Sequence, residues 1–475
     1  MRRIPGICVA FFLALAVPLP LAAQQPVPAP VTPPLKDAHE EFLATADEVL
    51  KEVSELLALP VRAPLKKSLR SRDDIRAYLV KQFQEEKNEA KRYADQKVLE
   101  KFGLIPKDFP LDEFLIELLT EQVAGLYDPK GKEFFIADWL PLAEQRMVMA
   151  HELVHALQDQ HFDVKPWLDA AKPDDDAQLA RGSVLEGSAL AAMFDHALRA
   201  QKLSVRDLPD LRPMIQRQML NDLERSPQLA RAPEHIRDSL LFPYLAGTAF
   251  TQAFLRARGG WADFTEVFKN PPVTSQQILH PELYLQGVRP EPVALPATER
   301  ILPRDWKKLD ENIAGEFGLH AALKQFLGEE RASRLSPSWA GDRYAIYEHQ
   351  KSKELLLLFR LRLADEAAAA RFFGHYSEAL ELKYKERLRL FRRPNFFSFD
   401  SEEGGVFLRC LGEECFIAEG TTRRVYDQFE RALGWPAAPR PAPAKSQTKV
   451  AATSLANVKV ALAPLSGDRP VAQLQ

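Results

Sequence analysis

Two histidines four residues apart bracket a glutamate in the run His151-Glu152-Leu153-Val154-His155. On a helix, positions i and i+4 share a face with side chains about 5–6 Å apart, which suits two ligands of one zinc ion. Glu152 stands one step round the helix, where it can take a proton from a water beside the metal without being a ligand. A Lewis acid, a nucleophile and a base then lie within one helical turn, and these are the working parts of peptide-bond hydrolysis.

Catalytic zinc takes three protein ligands and leaves one position for water, so the two histidines need a partner. His161 lies at the offset used by metzincins, but Gln158 stands where their pattern turns the chain at a glycine. If the helix continues through Gln158, His161 is carried about 9 Å beyond His155 along the axis, too far for one ion. Asp195 and His196 lie two to three turns from Glu186, lack supporting context and read as surface residues. Glu186 sits among Val184, Leu185, Ala189 and Leu190, where a carboxylate is costly to bury unless paired or bound to a metal. Glu186 is therefore the expected third ligand; its plainer reading is an exposed carboxylate on an amphipathic helix.

With that ligand the arrangement resembles the gluzincins, zinc metallopeptidases that combine HExxH with a glutamate. The likeness covers residues 125 to 186 and implies an edge strand, an HExxH helix and a glutamate helix. It also implies a bound Zn2+ and a peptide or protein substrate. Thermolysin-like members carry an aspartate four residues after the ligand glutamate, orienting the first histidine. Leu190 occupies that place here, so another residue must do that work. The stretches 151–160, Ser275 to Tyr284 and Trp339 to Arg343 are similar to a group of secreted bacterial HExxH proteins.

The tetrahedral oxyanion formed in such a hydrolysis needs a further donor. His280 is the first candidate, held by a proline-bounded segment whose Thr274 to Gln277 reads as a capping box; Tyr284 and Tyr244 follow. A backbone hydrogen bond near Pro281 is the equal alternative for His280. Phe134, Phe135 and Ile136 either line a cleft or pack in the core. Asp174-Asp175-Asp176 reads as a helix cap rather than a metal site.

The elements that must position these groups give an α+β, predominantly helical chain. An amphipathic helix from Phe42 to Leu57 ends at Pro60, a charged helix runs from Ser71 to about Lys101, and another covers Leu111 to Ala124. Val123 to Tyr127 and Glu133 to Ala137 flank Asp128-Pro129-Lys130-Gly131 and predict a β-hairpin, whose free edge could pair with an extended substrate. The zinc-motif helix follows from about Pro141 to Gln160, and residues 174–284 read as mostly helical. Strands are expected at 343–348, 355–363, 396–399, 405–410 and 415–418, with helices at 312–331, up to about Leu382, and at 421–433. The resulting division is a zincin-like domain at 37–286, a proline-rich linker at 287–305, a small α+β module at 306–434 and a tail at 435–475. The N-terminal helices run into the hairpin without a cleavage linker, which makes them part of the catalytic domain rather than a removable inhibitor.

Arg2, Arg3 and the apolar run from Ile7 to Val17, broken by Pro18 and Pro20, read as a signal peptide cleaved after Ala23, ahead of a proline-rich tether at 24–36. Eleven apolar residues are too few to span a bilayer, which takes about 20. The expected product is secreted or periplasmic, with no membrane association after cleavage. Cys410 and Cys415 fit one local disulfide in an oxidising compartment, ahead of a metal site. A formal net charge of -3 argues against a nucleic-acid binder held by phosphate electrostatics. Two functions remain: a secreted zinc peptidase using Glu152 as base, or a non-catalytic zinc-binding scaffold with a vestigial site.

Overall fold

The spacing of Phe42, Ala46, Val49, Leu50, Val53 and Leu57 makes one apolar stripe, and all six side chains are buried on one face of α1 (Leu35–Leu57). The computed structural model describes residues 9–11, 35–86, 89–223 and 226–440. The expected cleavage after Ala23, nearly all of the proline-rich tether and the tail beyond 440 lie outside the described residues. Ahead of α1, Val9–Phe11 forms β1. Beyond it come β2 (Lys66–Arg70), α2 (Arg72–Glu86), α3 (Glu89–Phe102) and α4 (Leu111–Gln122).

The hairpin forms where its turn signal lies, as β3 (Val123–Asp128) and β4 (Glu133–Ala137). β2 joins β4 in parallel and β1 joins β3 antiparallel, giving the order β1-β3-β4-β2. Both sides of the hairpin are therefore paired. Its turn is fastened to α5 (Leu142–Phe162), because the Tyr127 hydroxyl and Lys132 Nζ each donate to Asp159 Oδ2 at 2.6 Å.

Next are α6 (Val164–Asp169) and α7 (Asp175–Leu198), the latter capped by Asp174, whose carboxylate accepts from the Ala177 amide at 2.9 Å. Then follow α8 (Arg212–Leu223), α9 (Pro227–Arg231), α10 (Glu234–Arg258), α11 (Trp261–Lys269), α12 (Ser275–Leu279) and α13 (Pro281–Leu285). α1, α5, α7 and α10 share one apolar core. α7 and α10 cross backbone to backbone: a Cβ on Gly187 would lie 2.0 Å from the Gly247 carbonyl carbon, and one on Gly247 would lie 2.1 Å from the Ser183 oxygen.

The C-terminal part contains β5 (Trp306–Asn312), α14 (Gly315–Leu327), α15 (Glu329–Leu335), β6 (Trp339–His349), β7 (Leu355–Leu363), α16 (Glu366–Lys383), β8 (Leu388–Arg393), β9 (Phe396–Ser401), β10 (Gly404–Leu411), β11 (Glu414–Thr421) and α17 (Arg423–Ala432). Its strands form an antiparallel sheet in the order β5-β6-β7-β11-β10-β9-β8. Alternation along β7 decides the two faces. Leu357, Phe359 and Leu361 point to α14 and α16, while Leu356 and Leu358 point to Tyr426 and Phe429 of α17. Phe102 of α3 packs edge-on against Tyr344 and Phe359, so the first of these cores extends to the N-terminal helices. Cys410 and Cys415 are directly paired across β10 and β11 and are disulfide-bonded.

The chain is thus α+β and mainly helical. β5 and β8, which the sequence reading did not anticipate, are the two outer strands of the sheet. β8 reads Leu-Arg-Leu-Phe-Arg-Arg and is mostly exposed, so it lacks the apolar pattern that marks an inner strand. All elements named above belong to the first of two units, Met1–Ala438, the second being Pro439–Gln475. Among the described residues, no helix is long and apolar enough to cross a membrane.

The glycine crossing generates a stability prediction. Gly187→Ala puts a methyl group against backbone that cannot yield and should cost about 3 kcal/mol or more in urea denaturation. Gly374→Ala is the control: it lies in α16 with open space around it and should stabilise by about 0.5–1 kcal/mol.

Candidate metal centre

α5 continues through Gln158 to Phe162, so His151 and His155 lie one turn apart on a single helical face. Their Nε2 atoms are 3.2 Å apart. Glu186 of α7 brings Oε2 to 3.4 Å from each of them. Ligand atoms about 2.0–2.1 Å from a tetrahedral ion stand about 3.3–3.4 Å from one another, so three such atoms already have the spacing of one coordination face. Two imidazoles and one carboxylate are also the donor set of a catalytic zinc site. His151, His155 and Glu186 are all buried, and among the described residues they form the one group of three such side chains close enough to hold a metal ion.

A hydrogen-bond relay fixes the orientation of His155. Its Nδ1 is 2.9 Å from Gln158 Oε1, Gln158 Nε2 donates to Ser188 Oγ at 2.9 Å, and Ser188 Oγ donates to the Val184 carbonyl at 2.6 Å. Each acceptor in this chain is defined by the next donor. The relay therefore holds a proton on His155 Nδ1 and directs Nε2 at the triad. Gln158 orients the second histidine, not the first one that the aspartate replaced by Leu190 would serve, and it ties α5 to α7 at the level of the triad.

The electrostatics of the pocket pull in two directions. Burial lowers the pKa of His151. Burial acts the same way on His155, but the Glu186 carboxylate outweighs it and raises His155 to about 9. Burial tends to raise Glu186, yet His155 and His151 hold it well below the usual carboxylate range. The Glu186 carboxylate thus favours positive charge among the triad even before a metal is considered. Glu152 is 0% exposed, and burial raises it to about 8, with His155 and the Tyr127 amide pulling the other way. Neither of its carboxylate oxygens has a side-chain partner, an expensive arrangement unless a ligand completes it. It faces β3 at Gly125, where a Cβ would come within 3.4 Å of Glu152 Cγ.

The other residues singled out from sequence have distinct places. Tyr244 of α10 is buried with its ring 6.3 Å from that of His151. The Tyr284 hydroxyl donates to the Asn270 carbonyl at 2.7 Å, and His280 Nε2 is 2.9 Å from Glu316 Oε1, on a cavity whose walls include no member of the triad. His161 Nε2 is 2.8 Å from the Pro60 carbonyl, and His196 is 2.7 Å from Glu52. Asp195 accepts from the Ser204 hydroxyl, the Val205 amide and the Trp261 indole. Phe134, Phe135 and Ile136 are core residues with almost no exposure.

The segments beginning at Ser275 and Trp339 meet at the start of α7. Asp176 accepts from the Ser275 amide at 3.0 Å, Ser275 Oγ accepts from the Phe317 amide at 3.1 Å, and Gln276 Nε2 donates to the Trp339 carbonyl at 2.7 Å. Asp342 accepts from the Ala314 and Gly315 amides and from the Trp339 indole. Gly315, at φ +71°, lies so close to Asp176 that a Cβ would be 2.0 Å from its Oδ1. Sequence reasoning missed this knot, together with Gln158, Ser188 and the glycine pair. The available signal was the offset of Gln158 from His155, one turn further along the ligand face.

Residues 300–430, from just before β5 into α17, match a family described as a domain of unknown function (DUF8575). That span holds no member of the triad. Searches among curated proteins and among solved structures each found no match.

Metal affinity should follow this geometry. Competition against a chromophoric chelator should find one tight zinc per chain in the parent protein, none in His151→Ala, and binding about 10–100-fold weaker in Gln158→Leu. His161→Ala should bind as the parent does. Equal affinity in Gln158→Leu would mean that the relay does not set the ligand's orientation.

Proposed function

We propose that this chain is a secreted zinc-dependent peptidase and that α5, α7 and the sheet β1–β4 form a zincin-like catalytic domain. The observation that carries the reading is the triangle of ligand atoms, with sides of 3.2, 3.4 and 3.4 Å, set beside an enclosed glutamate. A zinc ion held by His151, His155 and Glu186 supplies Lewis acidity toward a scissile carbonyl and a water molecule. Glu152 has no side chain to satisfy it and lies one residue from His151, which suits a base that takes the proton from the attacking water and passes it to the leaving amine. A purely structural metal site has no use for such a group. Tyr244, packed beside His151, is the donor we assign to the developing oxyanion.

β3 supplies the substrate ladder in this reading. Its outer side pairs antiparallel with Val9–Phe11, in the register Val9 to Leu126 and Ala10 to Gly125, which supports its use by an extended peptide. Removal of the leader would return that side of β3 to a substrate.

Two variants separate base from oxyanion donor. Glu152→Gln should retain one zinc and lose about 10²–10⁴ in turnover on a mixed peptide library. Tyr244→Phe should retain zinc and lose about 10² in kcat with little change in KM. One zinc in every protein and cleavage in none would instead favour a zinc-binding scaffold.

A further inference from the structure

A cavity of about 590 Å³, separate from the triad, lies between α10, α12 and α14, a size that accommodates a small ligand. Its floor is apolar, formed by Phe242, Leu245, Ile278 and Phe317 among others. Two polar groups on its wall have unused capacity. Glu316 has a side chain only 3% exposed; its Oε1 accepts from His280, while Oε2 has no hydrogen-bond partner. Arg237 has no ion-pair or side-chain hydrogen-bond partner among the described residues. The other charges are spent. Lys324 is held by Asp238, Glu234 and Glu329, and Arg212 by Asp210.

The missing partners define a ligand. A buried acceptor left open is costly, and a donor from the ligand offsets that cost. His280 already compensates the charge of Glu316, so that donor is a neutral N–H rather than an ammonium. Arg237 calls for a carboxylate, with which a guanidinium forms paired hydrogen bonds. An apolar body must fill the floor. A fatty acid supplies the carboxylate and the body but no N–H. The last residue of a peptide supplies all three: its amide N–H, its side chain and its free carboxylate.

We propose that this cavity binds the apolar C-terminal residue of a peptide, with Glu316 accepting the amide N–H and Arg237 pairing with the carboxylate. The site does not depend on the metal and goes beyond the peptidase reading.

Calorimetric titration of the full chain carrying Glu152→Gln, which leaves a probe uncut, tests it apart from any activity. N-acetyl-phenylalanine should bind at one site. Its primary amide, which lacks the carboxylate, and 3-phenylpropanoate, which lacks the N–H, should each bind about tenfold more weakly. Arg237→Met should remove the preference for the free acid over the amide, and Glu316→Gln should remove the preference over 3-phenylpropanoate. Thermal denaturation and zinc content matching the parent would show that both variants fold. No binding of N-acetyl-phenylalanine up to about 10 mM would overturn the proposal. Equal binding of acid and amide by the parent, or an undiminished preference in Arg237→Met, would overturn it as well.

Discussion

The distance between α7 and α10 governs most of what surrounds the triad. It is set by two glycines with no side chain to separate the backbones, and Thr248 adds a hydrogen bond to the Gly187 carbonyl across the crossing. Glu186 is the residue next to Gly187, and Tyr244 is one turn from Gly247. A wider crossing would draw both away from the histidines of α5. The constraint is steric and one-sided: side chains can fill a gap, but two backbones cannot be moved closer than their atoms allow.

A second layer of restraint holds α7 from its N-terminal end and its side. Asp174 caps its first turn, Asp176 binds the Ser275 segment, and Ser188 receives the Gln158 amide from α5. The knot around Asp176 and Asp342 belongs partly to α7 and partly to the β5–β6 region. The span matched by the domain family therefore reaches the base of the glutamate helix, although it contains none of the metal-binding side chains. In this arrangement the C-terminal sheet buttresses the helix from which Glu186 projects.

Much of this was legible in the sequence because it depends on local spacing. The i, i+4 histidines, the Asp-Pro-Lys-Gly turn, the Asp174 cap and the apolar surroundings of Glu186 each follow from a few consecutive residues. What was not legible depends on residues far apart in the chain. Gly187 meets Gly247 and Gln158 meets Ser188 only after the helices pack, and no single segment carries a sign of it. His280 read as a catalytic donor because its segment is rigid, but rigidity says nothing of direction, and its ring meets Glu316. The edge strands β5 and β8 were missed for a different reason: water on their outer sides removes the apolar pattern that identifies a strand.

The choice of an amide to orient His155 has an electronic consequence. A carboxylate in that place would add a negative charge and draw the imidazole toward imidazolate, making it a stronger donor to any bound cation. Gln158 holds the ring with the same geometry and contributes no charge. A divalent ion seated on His151, His155 and Glu186 would then be offset by Glu186 and by Glu152 as base, rather than by three nearby carboxylates. The site would carry one negative charge fewer, and more of the ion's field would be left for a neutral carbonyl.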